Sequence, residues 1–250
     1  MTIMRVAAAA MIIAVAAGAI GAAPTGVKPT VVLLHGAFED GSAWQRVVAV
    51  LQRDGYAVVA AQTPLTSLRA DVDATIRVLD AQHGPVVLVG HSWGGAVITE
   101  AGAADARVKA LVYVAAFAPD ANEMVNAFND QYPTRLGMAL RRDAAGYLSV
   151  DPASFQELFA KDVDPREARV AAATQKPILA SAFGEAPAQA AWKTVPAWDL
   201  ITLDDQAIQP ALQRFYAGRM HARTLEVKSS HSVIVSHPAA VARFIEEAAP

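Results

Sequence analysis

The feature that most constrains the fold of this chain is a series of short apolar runs separated by longer amphipathic stretches. In chain order the first four runs are TVVLL (30–34), YAVVAA (56–61), PVVLVG (85–90) and VKALVYVAA (108–116). Most of their positions are apolar, so strands built from them would be covered on both faces, as in parallel sheets. Residues 68–82, between two of the runs, carry apolar residues at helical spacing. The sequence therefore predicts strands that alternate with helices in a parallel α/β fold.

The alternation breaks between residues 118 and 195, where helix-like stretches occur without a clear strand. It resumes with the runs AWDLITL (197–203) and RTLEVK (223–228), each followed by a helical pattern. An insertion between two strands of one sheet is expected to form a lid over that sheet, since both flanking strands belong to the same core. We therefore predict a single domain over residues 24–250 with a helical cap at about 118–195, inserted after the fourth strand.

Composition excludes several classes of function. The chain is 54% hydrophobic and 18% charged, which allows a large buried core and argues against extensive disorder. Its formal net charge is -3 and it has no run of basic residues, so we expect no nucleic-acid partner. The absence of cysteine removes disulfides, thiolate nucleophiles and cysteine-based zinc sites. No metal-ligand cluster or phosphate-binding loop is visible, so we predict neither a metal nor a cofactor.

The N-terminus has the pattern of a secretory signal peptide. Arg5 precedes an uncharged apolar stretch over 6–20, and small residues follow up to Pro24. A transmembrane anchor is the alternative, because the run from Val6 to Ala23 lies at the lower edge of membrane-spanning length. The alanine-rich composition and the small residues favour cleavage. We predict a signal peptide over 1–23, a secreted or periplasmic product, and no stable membrane anchor after cleavage.

A serine stands where a predicted strand turns into a predicted helix, in the motif Gly90-His91-Ser92-Trp93-Gly94. This Gly-x-Ser-x-Gly pattern forces the serine into a strained turn, and side chains at the two glycine positions would collide with that turn. The strain exposes the serine Oγ at the carboxyl end of the sheet, and the N-terminus of the following helix favours developing negative charge. The motif therefore predicts Ser92 as a nucleophile.

A serine nucleophile requires a base and an acid that orients it, which in this arrangement follow in the order serine, acid, histidine. The predicted strand 197–203 ends at the pair Asp204 and Asp205, and the last predicted strand is followed by SSHS, which contains His231. The competing His237 precedes a proline at the start of the last helix, where a surface position is expected. The pattern predicts His231 as the base and leaves both aspartates open as the acid.

An oxyanion site is predicted in the loop after the first strand. Gly36 allows the backbone there to approach closely, so the amides of Ala37 and Trp93 are expected to converge near the serine Oγ. His35 and His91, which flank these positions, are expected to be structural.

Aromatic residues are the candidates for the substrate pocket. Four phenylalanines of the predicted cap are candidates for its inner face, although packing against the body is an equally good interpretation of each: Phe128, Phe155, Phe159 and Phe183. The predicted substrate-binding residues are Phe38, Trp93, Phe128 and Phe159. Because no cation is evident near the site, we expect small to medium uncharged esters as substrates.

Four segments together resemble the α/β-hydrolase fold superfamily, in particular its small esterase branch related to plant methylesterases and hydroxynitrile lyases. They are HGAFEDGSAW (35–44), VGHSWGG (89–95), ITLDDQAIQPALQRFYAGRM (201–220) and SSHSVIVSHP (229–238). The resemblance implies an α/β-hydrolase fold with about six strands. In that branch the acid directly precedes a short polar-Ala-Ile stretch, which matches Asp205 and not Asp204. The family's oxyanion amides fall on Ala37 and Trp93.

The resemblance also orders the candidate functions. The lyases of this branch carry a lysine directly after the catalytic histidine, and here that position is Ser232. Hydrolysis of a carboxylic ester is therefore the favoured activity. A lyase or another cofactor-independent enzyme on the same three residues is the first alternative, and a non-catalytic protein that binds a small ligand is the second.

Overall fold

The computed structural model describes residues 28–249. The expected signal peptide over 1–23 lies outside these residues. Within them the chain forms nine strands: β1 (Thr30–Leu34), β2 (Val58–Ala61), β3 (Val86–His91), β4 (Val108–Val114), β5 (Leu140–Arg142), β6 (Tyr147–Val150), β7 (Ile178–Leu179), β8 (Ala197–Thr202) and β9 (Arg223–Val227). It also forms eight α-helices: α1 (Gln45–Arg53), α2 (Leu68–Asp80), α3 (Trp93–Ala101), α4 (Pro152–Leu158), α5 (Pro165–Ala173), α6 (Pro210–Met220), α7 (Val233–Ser236) and α8 (Pro238–Ala248).

Six of these strands form one sheet in the order β2-β1-β3-β4-β8-β9, and every neighbouring pair is parallel. The register places Val32 of β1 between Val59 of β2 and Leu88 of β3, so apolar residues pair across the centre of the sheet. All six residues of β3 are buried. The continuous apolar runs therefore form the interior strands, and the prediction of a parallel sheet of about six strands is confirmed.

Helices cover both faces of the sheet and divide the core into two apolar layers. On one face α1 and α8 pack against the strands through residues such as Leu51 and Ile245. On the other face α2, α3 and α6 pack through residues such as Val72, Val97 and Leu212. This is the layering that the alternating sequence pattern predicts.

The insertion between β4 and β8 is partly helical and partly strand. It contains α4, α5 and several short 3-10 helices, and also an antiparallel sheet in the order β5-β6-β7. Sequence patterning missed this sheet because its strands have only two to four residues and most of their residues are not fully buried. We call the segment over 118–195 the cap from here on.

The topology fixes where a functional site can form. The chain leaves β1 toward β2 on one side and returns through β3 on the other, so the carboxyl ends of β1 and β3 lie side by side where the strand order reverses. Ligand sites of open α/β sheets form at such a crevice. Among the helices of residues 28–249, none has both the length and the apolarity needed to cross a membrane.

Candidate active site

Ser92 lies at the carboxyl end of β3, in the turn that starts α3. Its backbone has φ 54° and ψ -119°, a conformation that L residues rarely adopt. A Cβ at Gly90 would lie 2.4 Å from the carbonyl oxygen of Gly94, and one at Gly94 would lie 2.7 Å from the carbonyl oxygen of Leu34. The collisions expected from the Gly-x-Ser-x-Gly motif are therefore present, and the turn holds the serine side chain at the sheet edge.

The structure brings Ser92, His231 and Asp205 into one hydrogen-bonded chain. His231 Nε2 lies 2.8 Å from Ser92 Oγ, and His231 Nδ1 lies 2.8 Å from Asp205 Oδ2. His231 is fully buried and Asp205 nearly so. Asp204 is exposed, and its amide donates to the carbonyl of Ser229. Of the two adjacent aspartates, only Asp205 reaches the histidine.

Asp205 is fixed by donors on both of its oxygens. The amides of Ala207 and Ile208 donate to Oδ1 at 2.7 and 2.9 Å, and Thr202 Oγ1 donates to Oδ2 at 2.7 Å. Burial opposes ionisation, but His231 and these hydrogen bonds outweigh it and hold the pKa of Asp205 below its usual range. A carboxylate can only accept, so Nδ1 of His231 carries the proton and Nε2 faces Ser92 with a free lone pair.

The loop after β1 lies directly against the serine. A Cβ at Gly36 would lie 2.8 Å from Ser92 Cβ, so a residue with a side chain at position 36 would collide with the serine. Ala37 lines the cavity above Ser92, and Trp93 begins helix α3. Both residues therefore lie beside Ser92, and their amides remain the predicted oxyanion donors.

His35 holds the loop after β1 in place as a neutral side chain. Its Nδ1 donates to the Gly36 carbonyl at 2.8 Å, and its Nε2 accepts from the Thr63 amide at 3.2 Å. Burial lowers the pKa of His35, which agrees with one donating and one accepting ring nitrogen.

A cavity of about 450 Å³ opens above Ser92 and His231, between the sheet edge and the cap. Phe38 and Phe159 line it, and their rings meet edge to face at 6.2 Å. Its wall contains no aspartate, glutamate, lysine or arginine among the described residues. Sequence reasoning missed most of the cap's contribution, which includes Asn126, Asn129, Tyr132, Leu136, Met138, Leu140 and Leu148.

Two residues predicted to bind substrate through their side chains lie elsewhere. Trp93 is fully buried beneath the site, and its indole Nε1 donates to Asp71 at 2.7 Å. Phe128 packs against Phe215 and Tyr216 of α6, with ring centroids 5.2 and 6.0 Å apart. Neither side chain is among the residues that line the cavity above Ser92.

Three further histidines, His83, His221 and His237, make no hydrogen bond to Ser92, His231 or Asp205 in the described part of the protein. His237 Nδ1 contacts Ser236 Oγ at 2.9 Å. His83 follows α2 and His221 caps the end of α6. Within residues 28–249, no group of three or more histidine, aspartate or glutamate side chains is placed to hold a metal ion.

A six-stranded parallel sheet with a strained serine turn after its third strand and a cap inserted after its fourth defines the α/β-hydrolase class of folds. The chain belongs to the alpha/beta hydrolase family, whose model matches residues 31–244. The family resemblance inferred from the four sequence segments is thereby confirmed.

Individual relatives agree with this assignment. The carbendazim-hydrolysing esterase of Nocardioides sp. (strain SG-4G) is 26% identical over 242 residues, which are 83% of this chain and 94% of the relative. Polyneuridine aldehyde esterase has 16% identity and a TM-score of 0.77, covering 88% of this chain and 98% of its own. The methylesterase MES16 from Arabidopsis has 17% identity and a TM-score of 0.73 over 88% and 98% of the two chains. These two solved structures share the fold.

Proposed function

We propose that this hydrolase cleaves small to medium uncharged carboxylic esters through an acyl-enzyme on Ser92. The observation that carries the proposal is the series of hydrogen bonds from Ser92 Oγ through the His231 ring to the Asp205 carboxylate. It lies at the base of a cavity whose described lining includes no aspartate, glutamate, lysine or arginine. The esterase from Nocardioides, whose name records ester hydrolysis, supports the same reaction class.

In the first half of the reaction Ser92 Oγ attacks the ester carbonyl carbon while His231 Nε2 accepts the hydroxyl proton. His231 then becomes a cation whose Nδ1–H remains bonded to ionised Asp205, which stabilises the charge. The carbonyl oxygen becomes an oxyanion, and the amides of Ala37 and Trp93 donate to it. Donors of this kind are each worth about 10²–10³ in rate where one has been removed from an enzyme.

The tetrahedral intermediate collapses when the C–O bond to the leaving alcohol breaks, and His231 returns its proton to that oxygen. Water then attacks the acyl-enzyme with His231 again as base, which releases the acid and regenerates Ser92. Both halves need a neutral imidazole at His231.

The cavity supports the proposed substrate class. Among residues 28–249 the pocket wall offers no side chain of opposite charge to a charged ester, which would lose hydration there without compensation. Phe38, Phe117, Phe159 and Phe183 offer aromatic surface around the reacting group. Asn126 and Asn129 offer amide groups for a neutral polar substituent. Neutral aliphatic and aromatic esters therefore suit this space.

The position after His231 supports hydrolysis over cyanide elimination. Ser232 donates its hydroxyl to the Phe159 carbonyl at 3.0 Å and carries no charge to stabilise a departing anion. Mandelonitrile cleavage should therefore be negligible in a preparation that hydrolyses aryl esters, and faster cyanide release than ester hydrolysis would refute the hydrolase proposal.

The decisive test compares wild-type protein with Ser92→Ala on p-nitrophenyl acetate and p-nitrophenyl butyrate. Ser181→Ala, which changes an exposed serine of the cap, is the matched control. We expect hydrolysis by the wild type and the control, loss by at least about 10³-fold in Ser92→Ala, and fluorophosphonate labelling at Ser92. Labelling of a different residue in active protein would overturn the assignment of the nucleophile.

We also propose export with cleavage of residues 1–23, on the strength of the sequence pattern alone. N-terminal sequencing of protein recovered from the periplasm or the culture medium tests this, and a mature protein that still begins at Met1 would contradict it.

A further inference from the structure

Glu39 and His91 form a second buried acid–histidine pair beside the proposed catalytic one. We infer that this pair is a positioning device, which fixes the His231 backbone and the loop after β1 through two protons on the His91 ring. The inference rests on the proposed function, since positioning matters only if His231 and the loop take part in catalysis.

Each ring nitrogen of His91 has a hydrogen-bond partner. His91 Nδ1 lies 2.8 Å from Glu39 Oε2, and His91 Nε2 lies 3.0 Å from the carbonyl oxygen of His231. The His91 side chain is fully buried and that of Glu39 is 9% exposed. The rings of His91 and His231 lie 4.8 Å apart between centroids. Glu39 faces a separate small cavity on the other side of Phe38 and Phe159, away from Ser92.

Both partners of the His91 ring require a donated proton. A backbone carbonyl can only accept, and an ionised carboxylate can only accept, so each ring nitrogen has to carry hydrogen. A neutral imidazole has one N–H and would leave one of these two close contacts without a proton. The pair is therefore an imidazolium and a carboxylate, in contrast with His35, whose Nε2 accepts from an amide.

One oxygen of Glu39 serves two segments of the site. Glu39 Oε2 accepts from His91 and also from the Gly36 amide at 3.2 Å. Gly36 precedes Ala37, the proposed oxyanion donor, and His91 precedes Ser92. Through the far nitrogen of His91 the same carboxylate is linked to the His231 backbone. The pair thus joins the loop after β1, the nucleophile turn and the histidine loop without contacting the cavity above Ser92.

The electrostatics of the pair agree with this protonation. Burial alone would lower the pKa of His91, but Glu39, the His231 carbonyl and Asp205 raise it above its ordinary value. Burial opposes ionisation of Glu39, but the charge of His91 and its hydrogen bond to the carboxylate hold the pKa of Glu39 below the usual range. As pH rises, loss of a proton from His91 breaks one of its two hydrogen bonds. Activity should therefore fall on the alkaline side.

Glu39→Gln tests the inference because it keeps the shape and removes the charge. A glutamine oxygen in place of Oε2 still accepts from Gly36 and His91, but the His91 cation then has no counter-ion and loses its second proton at lower pH. We expect kcat to fall by at least about tenfold at the wild-type optimum, with KM within about twofold. The alkaline limb of the pH profile should move to lower pH. Glu167→Gln, at a half-buried glutamate that pairs with Arg46 at 2.8 Å, is the matched control and should behave as the wild type.

A measurement on unmodified protein keeps the test independent of variant folding. Imidazole ¹⁵N–¹H spectra at neutral pH, with the His91 signals assigned from their absence in His91→Gln, should show protons on both His91 nitrogens. A single protonated nitrogen on His91 would overturn the inference. A Glu39→Gln enzyme with the wild-type kcat and an unchanged pH profile would also overturn it. Failure of the proposed function is distinguishable, since wild-type protein would then hydrolyse no ester.

Discussion

The carboxyl edge of the sheet and the cap enclose the same cavity, but they contribute different kinds of residue. The sheet edge contributes Ser92, Asp205 and His231, which are joined by hydrogen bonds. Each of them lies in the segment that follows the carboxyl end of a strand: β3, β8 and β9 respectively. The cap contributes apolar and neutral polar side chains such as Leu136 and Asn126. Under the proposed function, we expect reactivity to depend on the sheet edge, and substrate size and fit to depend on the cap.

The two regions are joined by hydrogen bonds next to His231. The Phe159 carbonyl of the cap accepts from the amide and the hydroxyl of Ser232 at 3.1 and 3.0 Å. The Asp162 carboxylate of the cap accepts from the hydroxyls of Ser229, at 2.7 Å, and Ser230. The cap is therefore held to the same loop that carries the proposed base.

The largest effect is expected at the sheet edge. Asp205→Asn should lower kcat by about 10⁴-fold, because an amide in that position favours the wrong tautomer of His231. KM should change little. Steady-state kinetics on p-nitrophenyl acetate measures both constants. Asp204→Asn is the matched control, since Asp204 does not contact His231, and a larger loss in this control than in Asp205→Asn would show that the acid is misassigned.

Changes in the cap should alter selectivity and leave the chemistry intact. Leu148→Ala enlarges the cavity and Ala180→Phe reduces it. We expect the ratio of kcat/KM for p-nitrophenyl butyrate over acetate to rise with the first change and fall with the second. A shift of about tenfold is reasonable for one or two methylene groups in an apolar pocket. If both variants shift the ratio in the same direction, the cap does not set substrate size.

A smaller effect is expected where the two regions meet. Asp162→Asn should weaken the contacts to Ser229 and Ser230, lowering kcat a few-fold and stability by about 1 kcal/mol. Burial opposes ionisation of Asp162, but donors from Ser230 and Ser229 hold its pKa below the usual range, so this stability is lost on acidification. Thermal unfolding at several pH values measures it. Asp130→Asn, at an exposed cap position, should change neither quantity.

The smallest effect on activity is expected at Asp199, in the middle of β8. It is fully buried, and neither carboxylate oxygen has a hydrogen-bond partner among the described residues. Asp199→Leu removes this unpaired group and should raise stability by about 1–3 kcal/mol with kcat unchanged. Denaturant unfolding at neutral pH gives the difference. A destabilised variant would show that the carboxyl group makes a favourable contact.

The same residue predicts a pH dependence of stability. Burial raises the pKa of Asp199 well above its usual value, so the folded state holds a proton that the unfolded state releases. Stability should therefore fall as pH rises from the ordinary aspartate range toward the folded-state pKa. In Asp199→Asn the melting temperature should not fall with pH across this range. An identical dependence of melting temperature on pH in wild type and variant would contradict the raised pKa of Asp199.

The sequence by itself determined the main sheet and two residues of the site. Continuous apolar runs can be satisfied only by strands covered on both faces, so their number and order predicted the parallel sheet. A serine between two glycines at the end of such a run has little alternative to a strained strand-to-helix turn, which identified Ser92. His231 was predicted as the base because it lies in the loop after the last predicted strand. The choice of Asp205 over Asp204 needed the family resemblance, since both directly follow one strand.

Only the tertiary structure decided contacts between distant segments. The orientation of Trp93 and Phe128 depends on which way each element turns against its neighbours, and no local period records that rotation. The strands β5–β7 are too short for alternation to show, and they form because they pair with one another. Glu39 and His91 are 52 residues apart and meet because β1 and β3 are adjacent in the sheet. Local patterns reflect backbone geometry within one element, whereas such pairings depend on how separate elements pack.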